Sequence, residues 1–129
     1  MKVKITIPFD CGNAPKILSI KDFNVAFAEN NNTYIFEKVT SDIVWEIIGV
    51  KQIHGKENFA SELKRLRSIE VKEFILTTVV THGFNGAADG IMKFKDGTTV
   101  AFCDIYTFAS STNNAKIKKI TSYVISIPT

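Results

Sequence analysis

Apolar and polar positions alternate at the start of the chain. Val3, Ile5 and Ile7 fall on one side and Lys2, Lys4 and Thr6 on the other, predicting a short strand stopped by Pro8. Asp10 to Ala14 reads as a turn-rich loop, with Asn13 placed to cap a helix and Pro15 in its first turn. The period then changes: Ile17, Ile20, Phe23 and Phe27 recur at helical spacing as one apolar stripe, ended by Asn30-Asn31-Asn32. A shorter helix is expected over Tyr34 to Val39, closed by Ser41-Asp42. Ile43-Val44-Trp45-Glu46-Ile47-Ile48 is apolar on both alternations, which predicts a strand covered on both faces and ended by Gly49. After a loop at Gln52 to Gly55, Phe59, Leu63 and Leu66 form one face of a third helix.

The rest of the chain is strand-like, in four runs: Ile69 to His82, Phe84 to Lys95, Thr98 to Phe108 and Lys116 to Ile127. Asp96-Gly97 is a hairpin signal between the second and third, and Asn85-Gly86 marks another reversal. In the last run Ile117 and Ile120 belong to opposite alternations, so a bulge near Lys118-Lys119 is expected. Helices followed by a long meander predict an α+β domain, with a strongly curved antiparallel or mixed sheet wrapped around about three N-terminal helices.

Composition narrows the functional classes. A chain of 129 residues with 45% apolar content can build one core without metals or disulfides. Its longest uncharged stretches are too short and too polar for a spanning helix, and the alternating N-terminus lacks the apolar block of a signal peptide. The expectation is a cytoplasmic protein that engages no membrane. The net charge of +3 is spread thinly. Lys64-Arg65-Leu66-Arg67 and Lys116-Ile117-Lys118-Lys119 are the two basic patches, and without base-stacking aromatics beside them no nucleic-acid partner is expected. Cys11 and Cys103 have neither zinc nor redox spacing, and with His54 and His82 as the only histidines no metal or other cofactor is expected.

The order of elements and several residues together resemble the nuclear transport factor 2-like superfamily, in particular its bacterial SnoaL-like branch. The resemblance runs over residues 14 to 127. Its carriers include Ala28-Glu29-Asn30-Asn31 at the first helix end, the strand from Asp42 to Gly49, and Ile53-His54-Gly55-Lys56 at the third helix start. Asp96-Gly97, the strand from Phe102 to Phe108 and Lys116-Ile117 complete it. It implies a cone, with a bent sheet around helices and a pocket at the open end, and it implies frequent dimers. It does not imply one activity, because the superfamily holds isomerases, dehydratases, polyketide cyclases, a transport adaptor and ligand binders.

Three titratable residues are candidates for chemistry. Glu46 is the one charge in an apolar strand and aligns with the carboxylate base of ketosteroid isomerases. Pointing inward it would be a general base, but a slip of one residue would put Trp45 inside instead. Asp104 shares a strand face with Phe102, Tyr106 and Phe108, where a carboxyl tends to stay protonated, and Asp104 to Phe108 matches the isomerases' Asp-x-x-x-Phe motif for the oxyanion-hole acid. The alternative for Asp104 is a cross-sheet pairing with a lysine or a backbone or serine donor. His82, on the alternation of Leu76, Thr78 and Val80, is either the partner of Asp104 or Asp89 in a His–Asp pair or a turn histidine. Where the isomerases carry a second oxyanion donor, a tyrosine, this chain has Phe23, and losing one such donor commonly costs about 3 kcal/mol of transition-state stabilisation.

Three functions remain open at this level. One is binding of a small apolar molecule in a pocket lined by Phe23, Phe27, Trp45, Phe102 and Tyr106. Another is a metal-free isomerase, cyclase or dehydratase using Glu46 as base and Asp104 as acid or oxyanion donor. The third is a homodimeric structural or regulatory domain.

Overall fold

The computed structural model describes residues 3–8 and 14–128. Cys11 and the expected cap Asn13 lie outside them. Pro15 opens helix α1 (Pro15–Ala28), with Ala14 at the cap position and no side chain capping it. Ile20 and Phe23 of the apolar stripe are buried, Ile17 and Phe27 half-buried. The chain leaves the helix through Asn30, whose φ of 58° is the left-handed conformation asparagine tolerates.

The second helix, α2 (Asn32–Glu37), starts and stops earlier than the pattern predicts, because the Asn31 side chain accepts from the Tyr34 amide and so caps it. Val39 belongs to the next element. Strand β2 (Val39–Ile47) runs straight through the expected stop at Ser41-Asp42, since Val39 is fully buried and pairs with Ile117. Gly49, at φ 76°, turns the chain back into a strand rather than the expected loop: β3 (Lys51–His54) pairs antiparallel with β2. Helix α3 (Lys56–Leu66) buries Phe59 and Leu63 and half-buries Leu66 on its apolar face. It is tied to β3 through Glu62, which accepts from Lys51 at 3.1 Å and from Arg65 at 2.5 Å. Those bonds hold the Glu62 carboxyl below its ordinary range, the Arg65 bond contributing most.

The four long runs are strands β4 (Val71–His82), β5 (Asn85–Phe94), β6 (Thr99–Phe108) and β7 (Ile117–Ile127), paired as an antiparallel meander. A short strand (Lys4–Thr6), which opens the chain and is labelled β1, adds in parallel to β4, and β2 adds in parallel to β7. The seven-stranded mixed sheet has the order β1-β4-β5-β6-β7-β2-β3. The predicted bulge is present: Thr107 pairs with Lys119 and Phe108 with Ile117, leaving Lys118 as the extra residue. A second register shift, between Leu76 and Thr78 of β4, is absent from the sequence expectation. It carries Leu76 and Val79 to the inner face, so Val80 and His82 face outward.

Helix α1 packs on β4 and β5, and α3 on β2 and β3, all on the inner face. Opposite the large inward side chains of β6, strand β5 offers Gly86, Ala88 and Gly90. A methyl on Gly90 would overlap the Ile75 carbonyl oxygen and press on the Phe102 ring, so the small residue permits that close approach. Phe102 then stacks on Phe74 at 5.4 Å. At the other end of the sheet, Lys16 is buried and donates to the Ser111 and Thr112 carbonyls at 2.7 and 2.6 Å, tying the start of α1 to the β6–β7 loop. No helix among the described residues is long and apolar enough to cross a membrane.

Candidate functional site

Between the helices and the inner face of the sheet lies a cavity of about 200 Å³. Its walls are built by periodicity. Phe102, Asp104 and Tyr106 come from the inward row of β6, Ile120, Ser122 and Val124 from that of β7, and Trp45 and Ile47 from that of β2. Phe23, Asn24 and Phe27 cover it from α1, and Phe59, Leu63 and Leu66 from α3. All five aromatic residues expected to line a pocket do so.

Two of the three expected catalytic residues do not reach it, and both placements are corrections. Glu46 lies between Trp45 and Ile47 and alternates to the opposite face, beside Gln52 and Thr121. Placing it inward would bury a carboxylate and expose an indole. The observed register buries Trp45 and gives its Nε1–H an acceptor, Ser122 Oγ, at 2.9 Å. His82 is exposed at the end of β4 opposite Asn85, on the sheet face away from Asp104 and four residues beyond the Thr78–Asp89 pair. No His–Asp pair forms, because the bulge in β4 detaches His82 from the alternation of Leu76.

Asp104 lies on the inward face with Phe102 and Tyr106, has a serine opposite it across the sheet as the alternative reading allowed, and is the centre of a polar cluster. Ser122 lies directly opposite on β7, where its hydroxyl favours the charged carboxyl, while Tyr106 Oη donates to Oδ2 at 3.4 Å. Tyr106 is almost completely buried, its ring edge-on to Phe23 at 6.0 Å. Its hydroxyl accepts from Asn24 Nδ2 at 2.9 Å, and the same amide donates to the Ile20 carbonyl at 2.8 Å. Burial pushes the Asp104 carboxyl up to about 6, against the pull of the Ser122 and Tyr106 bonds. Burial, with Asp104 alongside, pushes the Tyr106 hydroxyl well above its ordinary value.

Solved structures align with most of this chain. An NTF2-like protein of unknown function from Cytophaga hutchinsonii matches with a TM-score of 0.65 at 22% identity, over 84% of this chain and 97% of its own. An NTF-2 like protein of unknown function from Burkholderia xenovorans reaches 0.75 at 13% identity, over 89% and 86%. The chain has the NTF2-like fold. An LEH-like epoxide hydrolase from Mycobacterium tuberculosis shares it too, with a TM-score of 0.71 at 15% identity over 84% of this chain and 77% of that one. No family model matches the sequence, and no curated protein matches it.

Within the NTF2-like cone, Asn24 and Ser122 are the site residues that sequence reasoning missed. Both left a signal. Asn24 sits four residues after Ile20, inside the apolar stripe of α1, and Ser122 interrupts the inward row between Ile120 and Val124. A polar residue at a buried position needs a partner, so each was a marker of a polar site. Cys103 alternates away from Asp104, and burial raises its thiol pKa, which makes it a packing residue rather than a nucleophile.

Proposed function

We propose that the protein binds a small, largely apolar molecule in the cone, oriented by one polar cluster around Asp104. The observation that carries this reading is a preformed cavity of about 200 Å³ with aromatic and aliphatic walls and, among the described residues, a single ionisable carboxylate, Asp104. The volume is somewhat larger than the cavities of about 150 Å³ that admit benzene, so a single ring or short branched chain fits. Trp45 is the chain's one tryptophan and lines the cavity, so its fluorescence reports occupancy directly. Titration with ethylbenzene is expected to change Trp45 emission saturably and with 1:1 stoichiometry. Absence of any saturable change up to the solubility limit, with ethylbenzene and with its singly substituted polar analogues alike, sinks the reading.

A proton-transfer enzyme is the second reading, favoured by a carboxyl titrating at about 6 in a pocket, where it could serve as acid or base near neutral pH. Glu46 has no part in it, since its side chain is outside the cavity. Under this reading Asp104→Asn abolishes turnover of a cyclic ketone's α-proton exchange, measured by deuterium incorporation, while ligand binding persists.

We also propose a homodimer through the outer face of the sheet. Val80, Ile105, Tyr123 and Ile125 are exposed there, and Asp89 keeps a buried carboxylate oxygen with no partner among the described residues.

A further inference from the structure

The hydrogen bonds around Asp104 all run in one direction. The Ile20 carbonyl can only accept, which fixes the Asn24 amide with its nitrogen toward the Ile20 carbonyl, and both N–H groups are used, one on that carbonyl and one on Tyr106 Oη. Tyr106 Oη, having accepted from Asn24, turns its one hydrogen to Asp104. An indole nitrogen can only donate, so Ser122 Oγ accepts from Trp45, which leaves its own hydrogen free to turn toward Asp104, directly opposite on β6. Four side chains therefore spend every donor they have, and two of them spend it on one carboxylate.

What this cluster presents to an occupant is acceptor capacity alone. A carboxylate has about four lone-pair sites, of which Tyr106 and Ser122 take two. The walls from α1, α2, α3, β2, β4, β5 and β7 place no titratable side chain in the cavity, and on β6 the other one is Tyr106, which stays neutral. Asn30 and Asn32, from the α1–α2 joint, line it as uncharged amides. Among the described residues Asp104 thus has no countercharge within the cavity, a costly state for a carboxylate with apolar surroundings. A carbonyl or carboxylate head would meet acceptors with an acceptor. An ammonium head would fill the vacant lone pairs and supply the missing charge.

We propose that the ligand of the cone is an amine: a protonated primary or secondary amino group set against Asp104, on a single-ring or short branched apolar body. This rests on the binding reading above and adds the chemistry of the head group. The inference also fixes a pH dependence. Asp104 is ionised above about 6 and accepts from the amine, whereas below that it carries a proton, becomes a donor itself and suits a carbonyl head.

Four compounds on one skeleton test it: 1-phenylethylamine, 1-phenylethanol, acetophenone and ethylbenzene, each titrated into the intact protein with Trp45 fluorescence and calorimetry. At pH 8 the amine is expected to bind about tenfold or more tighter than acetophenone or ethylbenzene, with the alcohol between. From pH 8 to pH 5 the amine should weaken about tenfold as the ionised fraction of Asp104 falls, while acetophenone strengthens. Asp104→Asn should erase the preference for the amine and flatten the pH dependence of amine binding. Acetophenone binding as tightly as the amine at pH 8, or a flat pH profile for the amine, overturns the head-group assignment while the pocket stands. Failure of ethylbenzene and all three others to bind overturns the pocket reading, and the amine with it.

Discussion

Asp104 shows how one residue's environment sets its chemistry. An aspartate with an ordinary value of 3.8 is held at about 6 because burial disfavours the charge more than Tyr106 and Ser122 favour it. The folded form therefore keeps a proton that the unfolded chain has already lost. Stability contributed by this group is full below about pH 4, falls as pH rises to about 6 and is level above, a change of roughly 3 kcal/mol. In urea unfolding across pH 4 to 7.5, Asp104→Asn should lack this component, so its stability relative to the native chain should rise across that window. A difference that stays constant with pH would show that Asp104 is not desolvated. This residue was legible because its strand neighbours at two-residue spacing are all aromatic. Glu46 was not, because both alternations of its strand are apolar and either register satisfied the pattern.

At the scale of elements, β4 and β5 shape the cavity together. The bulge in β4 between Leu76 and Thr78 lies beside the Leu76–Gly90 pair of β5, where the backbone of one strand and the ring of Phe102 crowd the glycine. Replacing a strand glycine by alanine ordinarily helps by about 0.5–1 kcal/mol. Gly90→Ala is expected to do the reverse and cost about 2–3 kcal/mol, because the added methyl meets a backbone oxygen that cannot swing away. Gly86→Ala meets the end of the Ile20 side chain, which can rotate, and should cost less. Thermal unfolding of the two variants compares them, and equal midpoints for Gly90→Ala and the native chain would rule out the close approach. The Asp96-Gly97 turn was readable by contrast, since its requirement is local: Gly97 has φ 94°, and Asp96 Oδ1 accepts from the Thr98 amide at 2.9 Å.

At the scale of the whole molecule, the sheet has one face filled by helices and one face open. The open face carries a cross-strand row of Ile75, Ile91, Ala101 and Ile125, and beside it the row of Asp89, Cys103 and Tyr123. Sedimentation equilibrium is expected to give a dimer for the native chain and a monomer for Ile125→Asp, with ethylbenzene binding unchanged because Ile125 does not line the cavity. A native monomer at high micromolar concentration would remove the proposed partner.

The sequence by itself determined the order of the helices and of the strands other than β3, the Asp96-Gly97 hairpin, the bulge at Lys118 and the aromatic row of β6. Each depends on periodicity or turn chemistry that a few adjacent residues express. Only the tertiary structure decided which face of β2 looks inward, that Val39 and Lys51–His54 are strand, and that His82 and Glu46 stand apart from Asp104. Those outcomes depend on partners far along the chain. Trp45 turns inward to reach Ser122, Val39 pairs with Ile117, and Asn24 finds Tyr106 across the core. A polar side chain's role is set by which distant donor or acceptor the fold brings to it, and no local pattern encodes that distance.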